Sequence, residues 1–284
     1  MSDVLVVAGH ALRESLRRRV FAVVVCLTLA FGGLYAWGTD ELFKDIDNFG
    51  PNQFGLDPRA LAGATILGLA MFGTLFLGVV LAVFLTLGAV RGDAERGLLQ
   101  PLIVRPLGRR QYLAGRFLAA ATVAAAYVLL VYAGAVVVTG ALGHWWPAHP
   151  VGAGVRLAAA VVVVAALALL GSIFLSANAN GIAVLMVFGA GLLGGLLGSI
   201  GDALQSHTLQ TIANTASWVL PFEALYRDAL RVLVAEVPGV TGAIVQLGPL
   251  GGSHDAGPLL GPYLIAYLAA VAVVAAVTFV RTDL

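Results

Sequence analysis

The sequence predicts an all-α polytopic membrane protein with six transmembrane helices, and two observations carry this prediction. Hydrophobic residues make up 60% of the 284 positions and charged residues only 11%, whereas about a quarter of a soluble globular chain is charged. Apolar runs long enough to cross a hydrocarbon core, which takes about 20 helical residues, recur along the chain. We place the six spans at residues 20–38, 60–90, 111–143, 153–177, 181–200 and 259–280.

The N-terminal region is predicted to lie on the membrane before the first span begins. Within residues 1–19, apolar side chains share one helical stripe, which is typical of an amphipathic interface helix; they are Val4, Leu5, Ala8, Leu12 and Leu16. The apolar run that follows is longer than the roughly 7–15 residues of a cleavable signal, so we expect a retained span. It holds Cys26, the single cysteine, which leaves no disulfide and no cysteine-based metal site.

The distribution of basic residues predicts that both termini face the cytoplasm. Arginine and lysine near span ends stay on the cytoplasmic side, and eleven of the 16 basic residues fall in segments that six spans with an internal N-terminus place there. The other five are Lys44, Arg59, Arg156, Arg227 and Arg231. Arginine-rich, lysine-poor usage is typical of GC-rich bacteria, so we expect a bacterial cytoplasmic (inner) membrane.

The first outer connection, from Thr39 to Arg59, is acidic. Its NFGPNQFG centre is typical of turns. We expect a solvated loop there, and a cation site formed by its carboxylates is the alternative.

Residues 201–258 form the longest connection and are predicted to be an extracytoplasmic helical segment. Pro221 stands where a helix is expected to begin, and five charged residues follow it up to Glu236. Each Arg or Asp at a bilayer centre costs about 2.5–3.5 kcal/mol, against gains of about 0.3–0.6 kcal/mol for each Leu, Val or Phe. We therefore predict interfacial helices between spans five and six, with no further crossing.

Glycines in the fifth span are predicted to serve helix packing. Small residues four apart let helix backbones approach closely in lipid, and two such pairs occur at Gly191 with Gly195 and Gly194 with Gly198. The same stretch spells a dinucleotide-binding pattern, but that pattern has meaning only between a strand and a helix.

Several kinds of chemistry are excluded or disfavoured by the sequence. A P-loop needs a lysine after its glycine-rich loop, and the only lysine is Lys44 in ELFKD. Ion coupling uses ionisable residues inside the spans, and the central parts of the predicted spans contain none. The GHWWPAHP stretch is typical of an aromatic anchor at the membrane interface; a metal site formed by His144 and His149 is the alternative.

The connection between spans two and three, residues 93–108, is predicted to be a short cytoplasmic helix with an apolar ridge. Leucine and isoleucine recur four apart, which sets them on one side of a helix. Pro101 must lie in the first turn or at a kink, and Pro106 ends the helix at Arg105. An exposed apolar ridge indicates a protein partner, while the alternative is an ordinary loop whose arginines follow the positive-inside rule.

The segment ERGLLQPLIVRPLGRRQYLAGRFLAA (95–120) resembles the same connection in ABC-2 type transporter permeases. In that family an E-x-G-T-L pattern precedes a P-[VIL]-[SG]-R turn and a [YI]-L-x-G-[KR] start of the third span. The positions that fit in register are Glu95, Gly97, Leu99, Leu102, Pro106, Gly108, Arg109, Leu113, Gly115 and Arg116. Leu98 stands where threonine is usual. The most similar branch includes proteins of multi-copper enzyme maturation and drug and lipid exporters.

The resemblance implies a single ABC-2 type transmembrane domain over residues 1–284, a non-catalytic permease subunit of an ATP-driven exporter. Residues 93–108 would be a coupling helix that docks on a separate ATPase subunit, which would hold ATP and magnesium, so no cofactor is expected in this chain. The implied docking residues are Glu95, Gly97, Leu98, Leu99, Leu102, Ile103, Arg105, Pro106 and Arg109.

The resemblance also implies partners: two copies of the ATPase, a second permease chain in a homodimer, and membrane lipids, with no nucleic acid. Contact between the two permease chains would involve the glycine-bearing spans. A membrane scaffold or assembly factor that holds an extracytoplasmic partner without transporting solute is the alternative function. An ion-coupled carrier is a third, disfavoured by the charge-free spans.

Overall fold

The computed structural model describes residues 19–48, 57–87, 108–234, 257 and 259–281, and in these ranges the chain forms helices and no strand. The helices are α1 Arg19–Asn48, α2 Pro58–Thr86, α3 Arg109–Gly143, α4 Pro150–Phe174, α5 Ala177–Ala203, α6 His207–Val219, α7 Pro221–Val234 and α8 Leu260–Arg281. Six of them, α1 to α5 and α8, are long and apolar enough to cross a membrane. The prediction of an all-α protein with six spans is confirmed.

Helices α2 and α4 form the centre of the bundle. Both are apolar on every side, and most of their side chains are buried, which is the pattern of a helix surrounded by other helices. Gly78 lets three helices meet, because a Cβ there would lie 2.5 Å from a methyl of Val128 on α3 and 3.0 Å from one of Val161 on α4.

Helices α1 and α8 lie at the periphery, with most of their side chains exposed. Two hydroxyl pairs tie α1 to α3: Thr28 to Tyr127 and Tyr35 to Thr139, both with oxygens 2.5 Å apart. Such interhelical hydrogen bonds hold helices together in lipid, where burial of apolar surface drives association only weakly.

Helix α1 continues through the first part of the predicted outer loop, so the boundary predicted at Thr39 was wrong. Thr39 and Phe43 are buried, and their spacing of four residues puts both on the side that faces the bundle. Phe43 packs on Gly143 at the end of α3, and Asp40 pairs with Lys44 along the exposed side. The acidic stretch is therefore helical up to Asn48.

The start of α2 and the link between α4 and α5 follow the local sequence. Asp57 caps α2 by accepting hydrogen bonds from the backbone N–H groups of Arg59 and Ala60 at 3.0 and 3.1 Å. At the tight turn after α4, the Asn180 side chain donates to the carbonyl of Ala168 at 2.8 Å, which fastens the first turn of α5 to α4.

Helices α6 and α7 form a hairpin that folds back along α5. Gly198 of α5 faces Ala213 of α6, and Gly191, near the middle of α5, faces Phe222 at the start of α7. A helix rises about 1.5 Å per residue, which places Gly191 roughly 18 Å from the end of α5. The turn between α6 and α7 therefore packs at the level of the middle of α5, which is deeper along the spans than the interface predicted for this segment.

A contact with α2 agrees on that depth, and a second contact joins the turn to α8. Tyr226 of α7 meets the ring of Phe72 edge-on, with centroids 6.4 Å apart. By the same helical rise, Phe72 lies roughly 21 Å from the start of α2. The Tyr267 hydroxyl of α8 donates to the carbonyl of Val219 at 3.0 Å.

Candidate functional site

The predicted coupling helix falls almost entirely on residues 88–107, which lie outside the described part of the chain. Its docking residues there are Glu95, Gly97, Leu98, Leu99, Leu102, Ile103, Arg105 and Pro106. Arg109 begins α3, and its side chain is also outside the description. The docking assignment stays a prediction, and the geometry that can be given is that of the two span ends on either side.

The end of α2 and the start of α3 define where this connection attaches. α2 ends at Thr86, and α3 begins after Gly108, whose φ of −62° and ψ of 134° are open to any residue. The Gly108 N–H donates to the side-chain oxygen of Gln111 at 3.1 Å, and its carbonyl accepts from the Gln111 N–H at 2.9 Å. These bonds fix the first turn of α3 in place.

The first turns of α3 carry basic and aromatic side chains that meet the last turn of α8. The Arg116 guanidinium lies over the ring of Tyr112, with 5.7 Å between Cζ and the ring centroid, and its Nε donates to the Tyr112 hydroxyl at 3.2 Å. The Tyr112 ring packs against Phe279, with centroids 6.4 Å apart. Arg281 lies in the last turn of α8 together with Phe279. This end of the bundle therefore carries Arg110, Arg116 and Arg281.

The four glycines predicted to serve helix packing all face the α6–α7 hairpin of the same chain. A Cβ would lie 2.4 Å from the Phe222 ring at Gly191, 2.8 Å from Ala216 at Gly194, 2.1 Å from the Glu223 carboxylate at Gly195 and 3.1 Å from Ala213 at Gly198. This face of α5 is therefore packed within the chain, and contact of the glycine-bearing spans with a second permease chain stays a prediction.

A buried carboxylate lies at the start of α7. Glu223 is 2% exposed; its Oε2 accepts a hydrogen bond from Ser217 at 2.8 Å, and its Oε1 lies 3.6 Å from Nε of Arg227. Burial raises the pKa of Glu223, while the Arg227 charge and the Ser217 hydroxyl oppose that shift. The missing side chain at Gly195 leaves room for the carboxylate against α5.

A second carboxylate joins α7 to α4. Asp228 is 5% exposed and pairs with Arg156 of α4. Its other oxygen accepts from Nε of Arg231 at 3.0 Å. Arg156 also donates to the carbonyl of Gly152 at 3.0 Å, which fixes it along its own helix.

The α6–α7 hairpin places charged side chains beside the spans, at a level where the sequence indicated no charged residue. The spans themselves are poor in charge, as expected, but α7 places Glu223 and Arg227 beside the C-terminal half of α5. The signal in the sequence was the spacing of four between these two residues, which allows a pair on one helical face. The partner of Asp228 is 72 positions away, so no local pattern could indicate it.

The alternative that His144 and His149 form a metal site gains no support from the described residues. His144 and His149 lie on the α3–α4 connection and are both exposed. No group of three or more His, Cys, Asp or Glu that could hold a metal occurs within the described ranges. The neighbouring Trp145 packs on Gly63 of α2, and Trp146 packs on Gly140 of α3, while the role of this stretch as an aromatic anchor at the membrane interface stays a prediction.

Comparison with known proteins agrees with the resemblance in residues 95–120. No curated protein matches the chain. A family model described as "ABC-2 family transporter protein" matches residues 5–284. Because this match covers nearly the whole chain, and the chain has the six helical spans of a membrane permease component, it belongs to the ABC-2 family of transporter proteins.

Proposed function

We propose that this chain is the permease subunit of an ATP-driven exporter and that a separate ATPase subunit drives it. The observation that carries the proposal is the family match over residues 5–284 in a chain that lacks a motor of its own. The only lysine, Lys44, lies near the end of α1 beside Asp40, where it cannot follow a phosphate-binding loop.

The ATPase docks on residues 93–108, with Leu98, Leu99, Leu102 and Ile103 as the apolar ridge and Glu95, Arg105 and Arg109 at its rim. This segment leads from α2 directly into α3. The burial of α2 supports a coupling role, because α2 packs on α1, α3 and α4 and also contacts α7 of the hairpin. A displacement at its end therefore reaches the centre of the bundle, since close-packed interiors transmit strain.

Two permease chains assemble around a two-fold axis, with one ATPase copy on each. Both termini lie in the cytoplasm of a bacterial cell, and the end of the bundle with Arg110, Arg116 and Arg281 faces inward. The arginines at that end support this orientation, because basic residues near span ends are retained on the cytoplasmic side.

The docking role is tested by purifying the tagged chain from its native membranes and measuring ATP hydrolysis in the eluate. The double variant Leu99→Asp with Leu102→Asp places two charges on the ridge, so we expect the co-purifying hydrolysis to be lost. The matched control is Leu204→Asp, which changes a leucine that is 69% exposed at the α5–α6 turn and should keep the activity.

Both variants must elute as folded protein with the thermal stability of the wild type. Hydrolysis that persists in the double variant contradicts docking through the ridge. Absence of hydrolysis from the wild-type eluate, under conditions that keep other membrane complexes intact, contradicts the motor-driven function itself and favours the scaffold alternative.

A further inference from the structure

A groove between α3, α4 and α8 opens on the outside of the bundle. Its volume is about 410 Å³. Ala114 and Phe117 of α3 form one wall, Ala272 and Ala276 of α8 form the other, and Ala166 and Leu169 of α4 form the floor. The groove exists because alanines stand on both walls, where larger side chains would close it.

The length of the groove corresponds to one leaflet of a bilayer. It runs along α3 from Arg110 to Leu118 and along α8 from Leu268 to Ala276, and eight residues rise about 12 Å in a helix. One leaflet of hydrocarbon is about 15 Å thick, half of a core of about 30 Å. An extended hydrocarbon chain that enters at one end of the groove can therefore lie along its whole length.

The polar end of the groove is positively charged. Arg110 lines it and is exposed. The contact between Tyr112 and Phe279 joins the same end of α3 to the last turn of α8, where Arg281 is also exposed. The first turn of α3 contains no acidic residue, and none of the described residues that line the groove is acidic. Exposed arginines at headgroup level, at the end of an apolar groove between spans, are complementary to an anionic lipid headgroup.

We propose that this groove binds one anionic glycerophospholipid, with an acyl chain between α3 and α8 and the phosphate at Arg110 and Arg281. The lipid belongs to the leaflet at the arginine-bearing end, which the orientation proposed above makes the cytoplasmic one. It is a bound component of the permease rather than its cargo. The site does not depend on the docking of an ATPase.

A second copy of the chain fits this groove less well. A two-fold contact brings the same patch of both copies together, so the two concave grooves would face each other and leave their floors uncovered. An axis along the membrane normal would also bring Arg110 and Arg281 of both copies to the same level, where like charges repel.

Native mass spectrometry of the full-length chain tests the proposal. The protein is exchanged in detergent into equal amounts of phosphatidylglycerol and phosphatidylcholine, and we expect one phosphatidylglycerol to be retained in preference. Arg110→Gln should weaken its retention about fivefold, the change that corresponds to about 1 kcal/mol for one surface cation. Retention of phosphatidylcholine should not change. Equal retention of the two lipids by the wild type overturns the proposal.

A pair of variants in α8 separates the groove from the general lipid surface. Ala272→Trp fills the groove and should abolish retention of phosphatidylglycerol. Its neighbour Val273 is 61% exposed and does not line the groove, so Val273→Trp should leave retention unchanged. Retention that survives Ala272→Trp, or a dimer of the chain that this variant dissociates, overturns the proposal.

Photocrosslinking keeps the test decisive if Ala272→Trp fails to fold. Phosphatidylglycerol with a diazirine at the end of its acyl chain should label wild-type peptides that contain residues 113–118 and 268–276. Labelling spread evenly over the exposed faces of α1 and α8 contradicts a defined site.

Discussion

At the scale of single residues, the close approach between α5 and the hairpin depends on glycine. At Gly191, an added Cβ would lie 2.4 Å from Cζ of Phe222, whose side chain is fully buried and packs against Phe188 with ring centroids 5.6 Å apart. A rigid ring in that position cannot move aside without displacing its neighbours. We expect Gly191→Ala to destabilise the protein by about 1–3 kcal/mol, the usual range for overpacking, measured as a lower melting temperature in detergent.

The same helix provides the control for this prediction. A methyl group added at Gly189 would meet no neighbouring side chain within 4 Å. Gly189→Ala should therefore keep or slightly raise the melting temperature, since alanine is the better helix former by about 1 kcal/mol. Adding Phe222→Leu should partly restore the melting temperature of the Gly191→Ala variant, because the Phe222 ring and the added methyl group compete for one space. Equal effects of the two glycine variants would show that the hairpin does not pack on Gly191.

At the scale of elements, the ion pair of Asp228 joins α7 to α4. Loss of one partner of a fully buried pair costs about 3–5 kcal/mol. The side chains of Arg156 and Arg231 are 34% and 35% exposed, so both can turn toward polar surroundings. We expect Asp228→Asn to cost less, about 1–3 kcal/mol, the usual penalty when a buried polar group loses its partner.

The effect of Asp228→Asn should be local. In hydrogen–deuterium exchange, peptides from residues 221–234 should exchange faster, while peptides from the centre of α2 should not change. The control Asp40→Asn removes an exposed pair with Lys44, and exposed pairs contribute little to stability because solvent screens them, so exchange should stay at the wild-type rate. Unchanged protection of residues 221–234 in Asp228→Asn would mean that other contacts hold the hairpin on α4.

The hairpin also shows what the sequence leaves undetermined at this scale, namely how deep residues 201–258 pack along the spans. The insertion penalties used to confine residues 201–258 to the interface assume charges that face lipid without partners. In the structure Glu223 pairs with Arg227, and Asp228 pairs with Arg156 of another helix, which removes much of that penalty. The six spans could be predicted from local hydropathy, whereas the packing of the hairpin depends on contacts between helices far apart in the chain, such as the pair of Asp228 with Arg156, 72 positions away.

The end of α1 was predicted too early for a different reason. The acidic residues after Thr39 indicate exposure, and one side of this helix is indeed exposed, but Thr39 and Phe43 on the other side are buried. Hydropathy averaged over a window cannot separate the two sides, while the spacing of four residues can. For the predicted docking site, the sequence indicates the residues and the family resemblance. The structure describes only the two span ends on either side of it.

At the scale of the whole molecule, the proposal requires that the α2–α3 connection and the α5–α6 turn lie on opposite sides of the membrane. The chain begins and ends on one side if it crosses six times, and the proposed orientation, which is based on the arginines at the start of α3 and the end of α8, makes that side the cytoplasm. The two connections are separated by three spans, α3, α4 and α5, an odd number, which places them on different sides.

Cysteine labelling tests this orientation with few changes, because Cys26 is the only cysteine and Cys26→Ser gives a cysteine-free background. In intact cells a membrane-impermeant maleimide should label Leu204→Cys, which replaces an exposed residue. It should label Gly108→Cys, at an exposed position before α3, only after the cells are made permeable. The reverse pattern would put residues 93–108 outside, where no ATP is available, and the motor-driven function would fail with it. Labelling of both sites in intact cells would mean that the number of crossings between them is even.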